Sequence, residues 1–225
     1  MPSKDANLSA IAAALSHERL GPYLSATGGD LLAAVHLYEW NLAVSGAMYE
    51  ALGIAEVVLR NALNEQLTTW HGQSPGQWYD DSRGIMSPIA HDDIDNARER
   101  VLRLGRPETA GRVVAELNFG FWKFLLAKRY EMTLWTPCLR HAFPNLTPQN
   151  RSIVFDALDE LHRLRNRVAH HEPIHQRNLR RDMLTIYRLL EWIDADVRQW
   201  AITLSRVHAA LNQPRPPLPA AVEGV

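Results

Sequence analysis

The chain has 225 residues, enough for one large domain, and its 46% hydrophobic fraction allows a sizeable core. Its 24 Lys and Arg and 25 Asp and Glu leave a formal net charge of −1, which excludes a strongly basic nucleic-acid-binding domain; any RNA contact must come from a local patch. No continuous run of eighteen apolar residues is present, so we expect no transmembrane helix and no membrane partner. The single cysteine, Cys138, excludes an intramolecular disulfide and fits a reducing compartment, so we expect a cytoplasmic location.

Apolar residues recur at three- and four-residue steps along most of the chain, and no alternating strand pattern is present. The patterns and their caps predict helices at about 8–20, 31–46, 47–70, 89–104, 108–128, 130–142, 148–170 and 174–212, with a loop over 72–88. Thr147 is the predicted cap of the seventh of these, with Pro148 at its first position. We therefore predict an all-α bundle: one helical domain over 8–211, a flexible N-terminus over 1–7, and a Pro-rich flexible tail over 212–225.

The segment 151–170 places an arginine on the apolar face of a helix. At about 100° per residue, one face holds the apolar residues Val154, Ala157, Leu158, Leu161, Leu164 and Val168. Arg165 falls inside this stripe, four residues after Leu161 and three before Val168. Because a guanidinium stays charged, Arg165 needs a carboxylate, a phosphate or an interfacial cleft in such a position.

Asn166 and His170 are four residues apart and share a different face of the same helix. On an ideal helix His170 lies about 140° from Arg165, so one straight helix does not bring the two side chains to one point. Pro173 disfavours α geometry at Glu172, so the helix end can unwind. Either that unwinding or a second subunit is needed to assemble Arg165, Asn166 and His170 into one site.

These three residue types suit the cleavage of RNA, which carries its own nucleophile in the 2′-hydroxyl. Histidine supplies a base or acid that titrates near neutrality, and arginine supplies a cation for the charge that develops on the phosphorane. Asparagine can orient the imidazole or donate to the phosphate. Such a reaction needs neither a metal nor another cofactor.

The pattern R-N-x-x-x-H, formed by Arg165, Asn166 and His170, resembles the signature of the HEPN superfamily of all-helical ribonucleases. The following His171-Glu172-Pro173-Ile174 resembles more narrowly its Abi-like (abortive infection) branch. Three other segments are similar to that branch: LSHERLGPYLSATGGD at 15–30, LYEWNLAVSGAMYEALGIAEVVLRNALNEQL at 37–67, and ELNFGFWKFLL at 116–126. The resemblance covers about residues 8–205.

The resemblance implies a HEPN-like helical bundle with additional N-terminal and inserted helices. It implies a metal-independent endoribonuclease with Arg165 and His170 in catalysis and Asn166 in support, acting as a homodimer whose signature helices face each other across a cleft. It also implies a role in antiphage defence or toxin action. A further reading is an enzyme that is silenced by a partner, such as an antitoxin protein or a noncoding RNA. The alternative is a non-catalytic RNA-binding or scaffolding protein with the same fold.

Further residues are candidates for substrate binding or support. Glu172 can pair with Arg165 or Arg167 and hold the arginine in position. His171 is a further candidate for substrate binding or support. Alternatively, His171 and His175 can interact with the helix C-terminus. The remaining candidates are Arg167, Arg60, Asn61 and Arg177. Arg60 could form a salt bridge with Glu56 or line the same cleft. Arg177 could form a phosphate-binding ridge with Arg181 or lie at the start of a solvated helix.

Three other readings of polar and aromatic residues stay open in the sequence. The cluster His162, His170, His171, Glu172 and His175 could bind a divalent metal, although its spacings fit no established zinc pattern. A nucleophilic Cys138 would need a lowered pKa and a base such as His141. The aromatic run Phe119, Phe121, Trp122 and Phe124 could stack RNA bases, but its helical spacing favours core packing.

Overall fold

A computed structural model describes residues 7–105 and 107–216, and within these ranges the chain is helical without a strand, which confirms the predicted all-α class. The α-helices are α1 (Leu8–Leu15), α2 (His17–Ala26), α3 (Leu31–His71), α4 (Pro88–Arg103), α5 (Ala110–Glu116), α6 (Phe119–Phe124), α7 (Arg151–Ala169), α8 (Leu179–Ile193), α9 (Ala195–Leu204) and α10 (Val207–Leu211). Short 3₁₀ turns occur at Trp78–Asp80, Lys128–Tyr130 and Leu139–Ala142, and a π-helical turn occurs at Glu131–Trp135.

One continuous helix, α3, replaces the two helices predicted over 31–46 and 47–70. The predicted break followed Gly46, whose lack of a side chain costs a helix interior only about 1 kcal/mol relative to alanine. Val44 and Met48, on either side of it, are fully buried, and burial of each such side chain contributes more than that cost.

Side-chain caps divide two other predicted helices, and a third is replaced by tighter and wider turns. The segment 108–128 breaks at Asn118, whose Oδ1 accepts a hydrogen bond from the Phe121 amide at 2.9 Å and starts α6. In the segment 174–212 the helix begins only at Leu179. It breaks at Asp194, whose carboxylate accepts hydrogen bonds from the amides of Asp196 and Val197 and so caps the start of α9. The segment predicted as one helix over 130–142 consists of π-helical and 3₁₀ turns instead.

The chain forms two compact units that are each discontinuous in sequence. Among the described residues, the first unit comprises 7–51, Leu164–Met183 and 205–216, and the second comprises 52–105, 107–163 and Leu184–Leu204. The buried apolar core of the first includes Leu20, Tyr23, Leu37, Val44, Met48, Val168, Ile174 and Leu179. That of the second includes Leu59, Leu63, Phe119, Trp122, Phe143, Leu158, Leu161 and Leu190.

The predicted flexible ends fall partly beyond the described residues. Residues 1–6 and 217–225 lie outside them, so the flexibility predicted for 1–7 and 212–225 stays a prediction there. The described beginning of the tail makes contacts: Arg180 donates to the Asn212 side chain at 2.8 Å, and the Arg215 guanidinium lies 5.0 Å from the centre of the Trp40 ring.

By length and composition alone, α3 is apolar enough to cross a membrane, and 39% of its most apolar window is buried inside the protein. The core helix of a soluble protein meets the same criterion, so α3 gives only weak evidence about a membrane. The absence of a membrane partner stays an expectation.

Candidate active site at the end of α7

The helix that carries Arg165 and Asn166, and that ends just before His170, begins later than predicted. It starts at Arg151, and its first turn is capped by Asn150, whose Oδ1 accepts from the Ser152 amide at 2.9 Å, instead of by Thr147. The predicted apolar stripe is largely buried, with Val154, Leu158, Leu161, Leu164 and Val168 at 5% exposure or less and Ala157 half-buried. This stripe fixes which face of α7 turns toward the core.

α7 ends at Ala169 in a Schellman motif whose left-handed residue is His171. The φ angle of His171 is 55°, and its amide donates to the Val168 carbonyl at 3.1 Å. The Glu172 amide donates to the Arg167 carbonyl at 2.8 Å, which completes the pair of bonds that defines the motif. The helix therefore unwinds two residues before the position at which Pro173 would stop it.

An ion pair lies across the same turn. Arg167 Nε and Glu172 Oε2 are 3.3 Å apart without hydrogen-bond geometry, and both side chains are nearly half exposed. Arg167 and Glu172 lie at the two ends of the turn. Residues at these two positions of a Schellman motif commonly form a hydrophobic contact. At such exposure the pair contributes at most about 1 kcal/mol. Glu172 therefore pairs with Arg167, which is one of the partners that the sequence left open for it.

Two side chains from distant parts of the sequence also hold the turn. Arg19 Nη1, on α2, donates to the His171 carbonyl at 2.6 Å. Asn41 Oδ1, on α3, accepts from the Ile174 amide at 2.8 Å, where both residues are buried. Leaving such a buried amide without an acceptor costs about 1–3 kcal/mol. Sequence reasoning did not single out either residue, although an asparagine within the apolar part of a helix is a signal for a buried polar contact.

The three signature residues differ in their exposure. Arg165 and Asn166 are half-buried within α7, one turn before its end, and both take part in polar or charged contacts. His170 follows the last helical residue; its amide donates to the Asn166 carbonyl at 2.9 Å, and its side chain is exposed. All three residues, together with Arg167, belong to the first compact unit. The imidazole therefore lies at the surface, where a large substrate has access to it.

His175 lies beneath this turn and is 2% exposed. Its ring centre is 5.1 Å from that of Tyr23, and neither ring nitrogen has a hydrogen-bond partner among the described residues. Burial, with smaller contributions from Arg215 and Arg167, lowers the pKa of His175 below its ordinary value. Burial likewise raises the pKa of Tyr23 to about 12. The interaction with the helix C-terminus that the sequence left open for His175 is not formed, because His175 is a buried core residue without a hydrogen-bond partner among the described residues.

Arg177 forms a buried ion pair that does not fit a phosphate-binding ridge. It precedes α8, and its Nε and Nη2 donate to the two carboxylate oxygens of Asp182 at 2.9 Å each. Asp182 is 4% exposed. Arg177 and Arg181 therefore do not share one helical face, and the Arg177 guanidinium is bound to a carboxylate of its own unit. The ion pair with Asp182 is a contact within the first unit.

Arg60 and Asn61 lie in the second compact unit. Arg60 Nε donates to the Asn61 side chain at 3.4 Å, and Nη1 donates to the Ala115 carbonyl at 3.5 Å. Asn64, on the next turn, accepts from the Trp78 indole at 2.9 Å. The described contacts of this pair are with residues of its own unit.

The surroundings of Cys138, of the possible metal ligands and of the aromatic run bear on the other readings of the sequence. Cys138 is buried, its thiol donates to the Leu134 carbonyl, and burial raises its pKa to about 11, which is the opposite of what a nucleophile requires. Within the described ranges, no group of three or more His, Cys, Asp or Glu side chains is arranged to hold a metal ion. Among the aromatic residues, Phe119, Phe121 and Trp122 are buried core, whereas Phe124 is half exposed.

No protein-family model matches the chain, and no curated protein or solved structure matches it either.

Proposed function

We propose that this protein is a metal-independent endoribonuclease, with His170, Arg165 and Asn166 as its catalytic residues. The observation that carries the proposal is the end of α7, where an exposed imidazole follows a half-buried arginine and asparagine by one turn. The Schellman motif supports this role, because it ends the helical hydrogen bonding directly after His170, whose amide keeps its helical bond to Asn166 and whose side chain is exposed. The likeness of R-N-x-x-x-H to the HEPN signature points to the same chemistry.

In the proposed reaction, His170 acts as a general base and accepts the proton of the 2′-hydroxyl. The 2′ oxygen then attacks the adjacent phosphorus, and the bond from phosphorus to the 5′ oxygen of the next nucleotide breaks. That oxygen takes a proton from an imidazolium or from water. Arg165 stabilises the negative charge on the phosphorane, and Asn166 donates to it or orients the imidazole. The products are a 2′,3′-cyclic phosphate and a 5′-hydroxyl.

We further propose that the enzyme acts as a homodimer in the cytoplasm, in antiphage defence or as a toxin. On an ideal helix Arg165 and His170 lie on different faces, and a second copy supplies the residue that one copy does not bring to the phosphate. An enzyme that cuts cellular RNA needs an inhibitor before its trigger arrives, which fits an antitoxin protein or a noncoding RNA as partner.

The test is cleavage of a pool of 5′-labelled RNA with randomised sequence, with the product ends identified. We expect His170→Ala and Arg165→Ala each to lower kcat by roughly 100-fold or more, because a positioned general base or charge-stabilising group contributes about that factor. We expect EDTA to leave the rate unchanged and a 2′-O-methylated pool to resist cleavage. His208 is another exposed histidine of the first unit, so His208→Ala is the matched control and should keep full activity.

Undiminished cleavage by purified His170→Ala would contradict the mechanism. Loss of activity in EDTA that a single divalent metal restores would favour a metal site instead. Tight binding of the RNA pool without any cyclic phosphate product would favour a non-catalytic RNA-binding protein.

A further inference from the structure

We propose that Asn41 and Arg19 are positioning residues that hold the turn after α7 and thereby fix the place of His170. This inference rests on the proposed role of His170 in RNA cleavage. Neither residue touches the reacting groups in that mechanism, and both act through the backbone of residues 171–174. They reach the turn from α3 and α2, 133 and 152 positions away from the residues that they contact.

The bond to Asn41 is the more deeply buried of the two contacts. Asn41 is 5% exposed and Ile174 is fully buried, so the Asn41 oxygen accepts from an amide that is shielded from solvent. Pro173 has no amide hydrogen, so Ile174 carries the first backbone donor after Glu172. The Asn41 amide nitrogen donates to the Ser45 hydroxyl at 3.5 Å, which turns the Asn41 oxygen toward Ile174. An asparagine among buried apolar residues is explained by this contact.

The bond to Arg19 acts on the strained residue of the turn. His171 has the left-handed φ of 55° that residues other than glycine rarely adopt. Its carbonyl accepts a short, charge-assisted hydrogen bond from Arg19, at 2.6 Å. This bond opposes rotation of the peptide unit that follows His171 and so keeps the turn in the Schellman conformation.

Together these contacts restrict the backbone on both sides of His170. The helical bond from the His170 amide to Asn166 holds the preceding side, and Arg19 and Asn41 hold the following side at residues 171 and 174. Only side-chain rotation remains for an exposed imidazole in this position. Misplacement of a catalytic group by about 1 Å can cost roughly 100-fold in rate, so the anchoring of this turn has a direct effect on kcat.

The test compares four variants of the full-length protein. Asn41→Ala removes the buried acceptor, and Val44→Ala is its control, since Val44 is a fully buried residue of the same helix and unit without a hydrogen bond to the turn. Arg19→Ala removes the donor to His171, and Arg19→Lys keeps a cation that can donate to the same carbonyl. The two readouts are amide hydrogen exchange at Ile174, with the NMR signals of His170, and kcat and KM on the randomised RNA pool.

We expect Asn41→Ala to lower the protection of the Ile174 amide by roughly tenfold or more and to shift the His170 signals, beyond any effect of Val44→Ala. We expect kcat to fall by about tenfold or more in Asn41→Ala and in Arg19→Ala, with KM nearly unchanged and with partial recovery in Arg19→Lys. A fall in kcat that is equal in Asn41→Ala and Val44→Ala would reduce the role of Asn41 to general stability and overturn the inference.

Unchanged Ile174 protection in Asn41→Ala would also overturn it, as would unchanged kcat in a variant whose Ile174 bond is lost. If the wild-type protein does not cleave the RNA pool, the proposed function fails. The exchange and NMR measurements still decide then whether Asn41 and Arg19 position His170.

Discussion

Replacement of His171 by glycine should stabilise the protein, although it removes a side chain from the candidate site. His171 has a φ of 55°, and the left-handed conformation costs residues other than glycine roughly 1–2 kcal/mol. Glycine removes that cost but gives the unfolded chain more freedom, which offsets roughly 0.5–1 kcal/mol. The exposed imidazole loses no burial. The net expectation is a gain of about 0.5–1 kcal/mol, or roughly 1–4 °C in Tm for a chain of this size.

The assay is urea unfolding, with thermal unfolding as a second measurement. His170→Gly is the matched control, because it removes the same side chain one position earlier, where φ is not positive. Glycine there should destabilise by roughly 0.5–1 kcal/mol. His171→Val should also destabilise, by about 1 kcal/mol or more, since a β-branched residue is the least tolerated in a left-handed conformation.

The same variants separate the two neighbouring histidines in function. If His170 is the catalytic base, His171→Gly keeps RNA cleavage, since the backbone carbonyl that Arg19 contacts is still present. His171→Gly that is less stable than the wild-type protein and no better than His170→Gly would refute the argument from backbone strain. Loss of cleavage in His171→Gly with unchanged folding would assign a chemical role to His171.

Two further predictions concern buried titratable groups. Burial raises the pKa of the Cys138 thiol to about 11 from its ordinary 9.0, so the folded protein has about a hundredfold less thiolate at pH 8. Alkylation of Cys138 by iodoacetamide should therefore be at least a hundredfold slower in the folded protein than in urea. Equal rates would contradict the burial of Cys138. Burial lowers the pKa of His175, so the unfolded chain binds a proton below pH 6.5 that the folded protein resists, and stability should fall as the pH drops below 6.5. His175→Phe, which can still pack on Tyr23, should lessen that fall between pH 7.5 and 5.5 in urea unfolding, whereas His208→Phe should not; identical pH dependence in His175→Phe and wild type would refute the reasoning.

Apolar periodicity predicted the class of the fold and the buried face of α7, because both depend on where apolar side chains recur. It did not predict where helices break. Single capping side chains, at Asn118 and Asp194, set those positions, and Gly46 did not end α3. The spacing of apolar residues does not change at such a cap. The end of the helix is decided by whether the capping side chain or the backbone of a continuing helix forms the hydrogen bonds.

The candidate site was predictable in its residue types and not in its geometry. The helical wheel placed Arg165 and His170 on different faces and required the helix to unwind or a second subunit to take part. The helix unwinds only after His170, whose amide keeps its helical bond to Asn166, and the cause is the left-handed His171 with its two Schellman bonds, which no spacing in the sequence indicates. Pro173 follows a helix that has already ended.

The R-N-x-x-x-H pattern lies in one short segment, but the conformation of the turn beside it depends on residues from distant parts of the chain. The motif occupies consecutive residues of one segment, but two of the bonds that hold its conformation come from Arg19 and Asn41, far earlier in the chain. A peptide with the motif alone lacks both partners, so only the two Schellman bonds would hold His171 at its strained φ. The R-N-x-x-x-H pattern therefore indicates which side chains could act on a phosphate, whereas the place of His170 depends on the packing of the first compact unit.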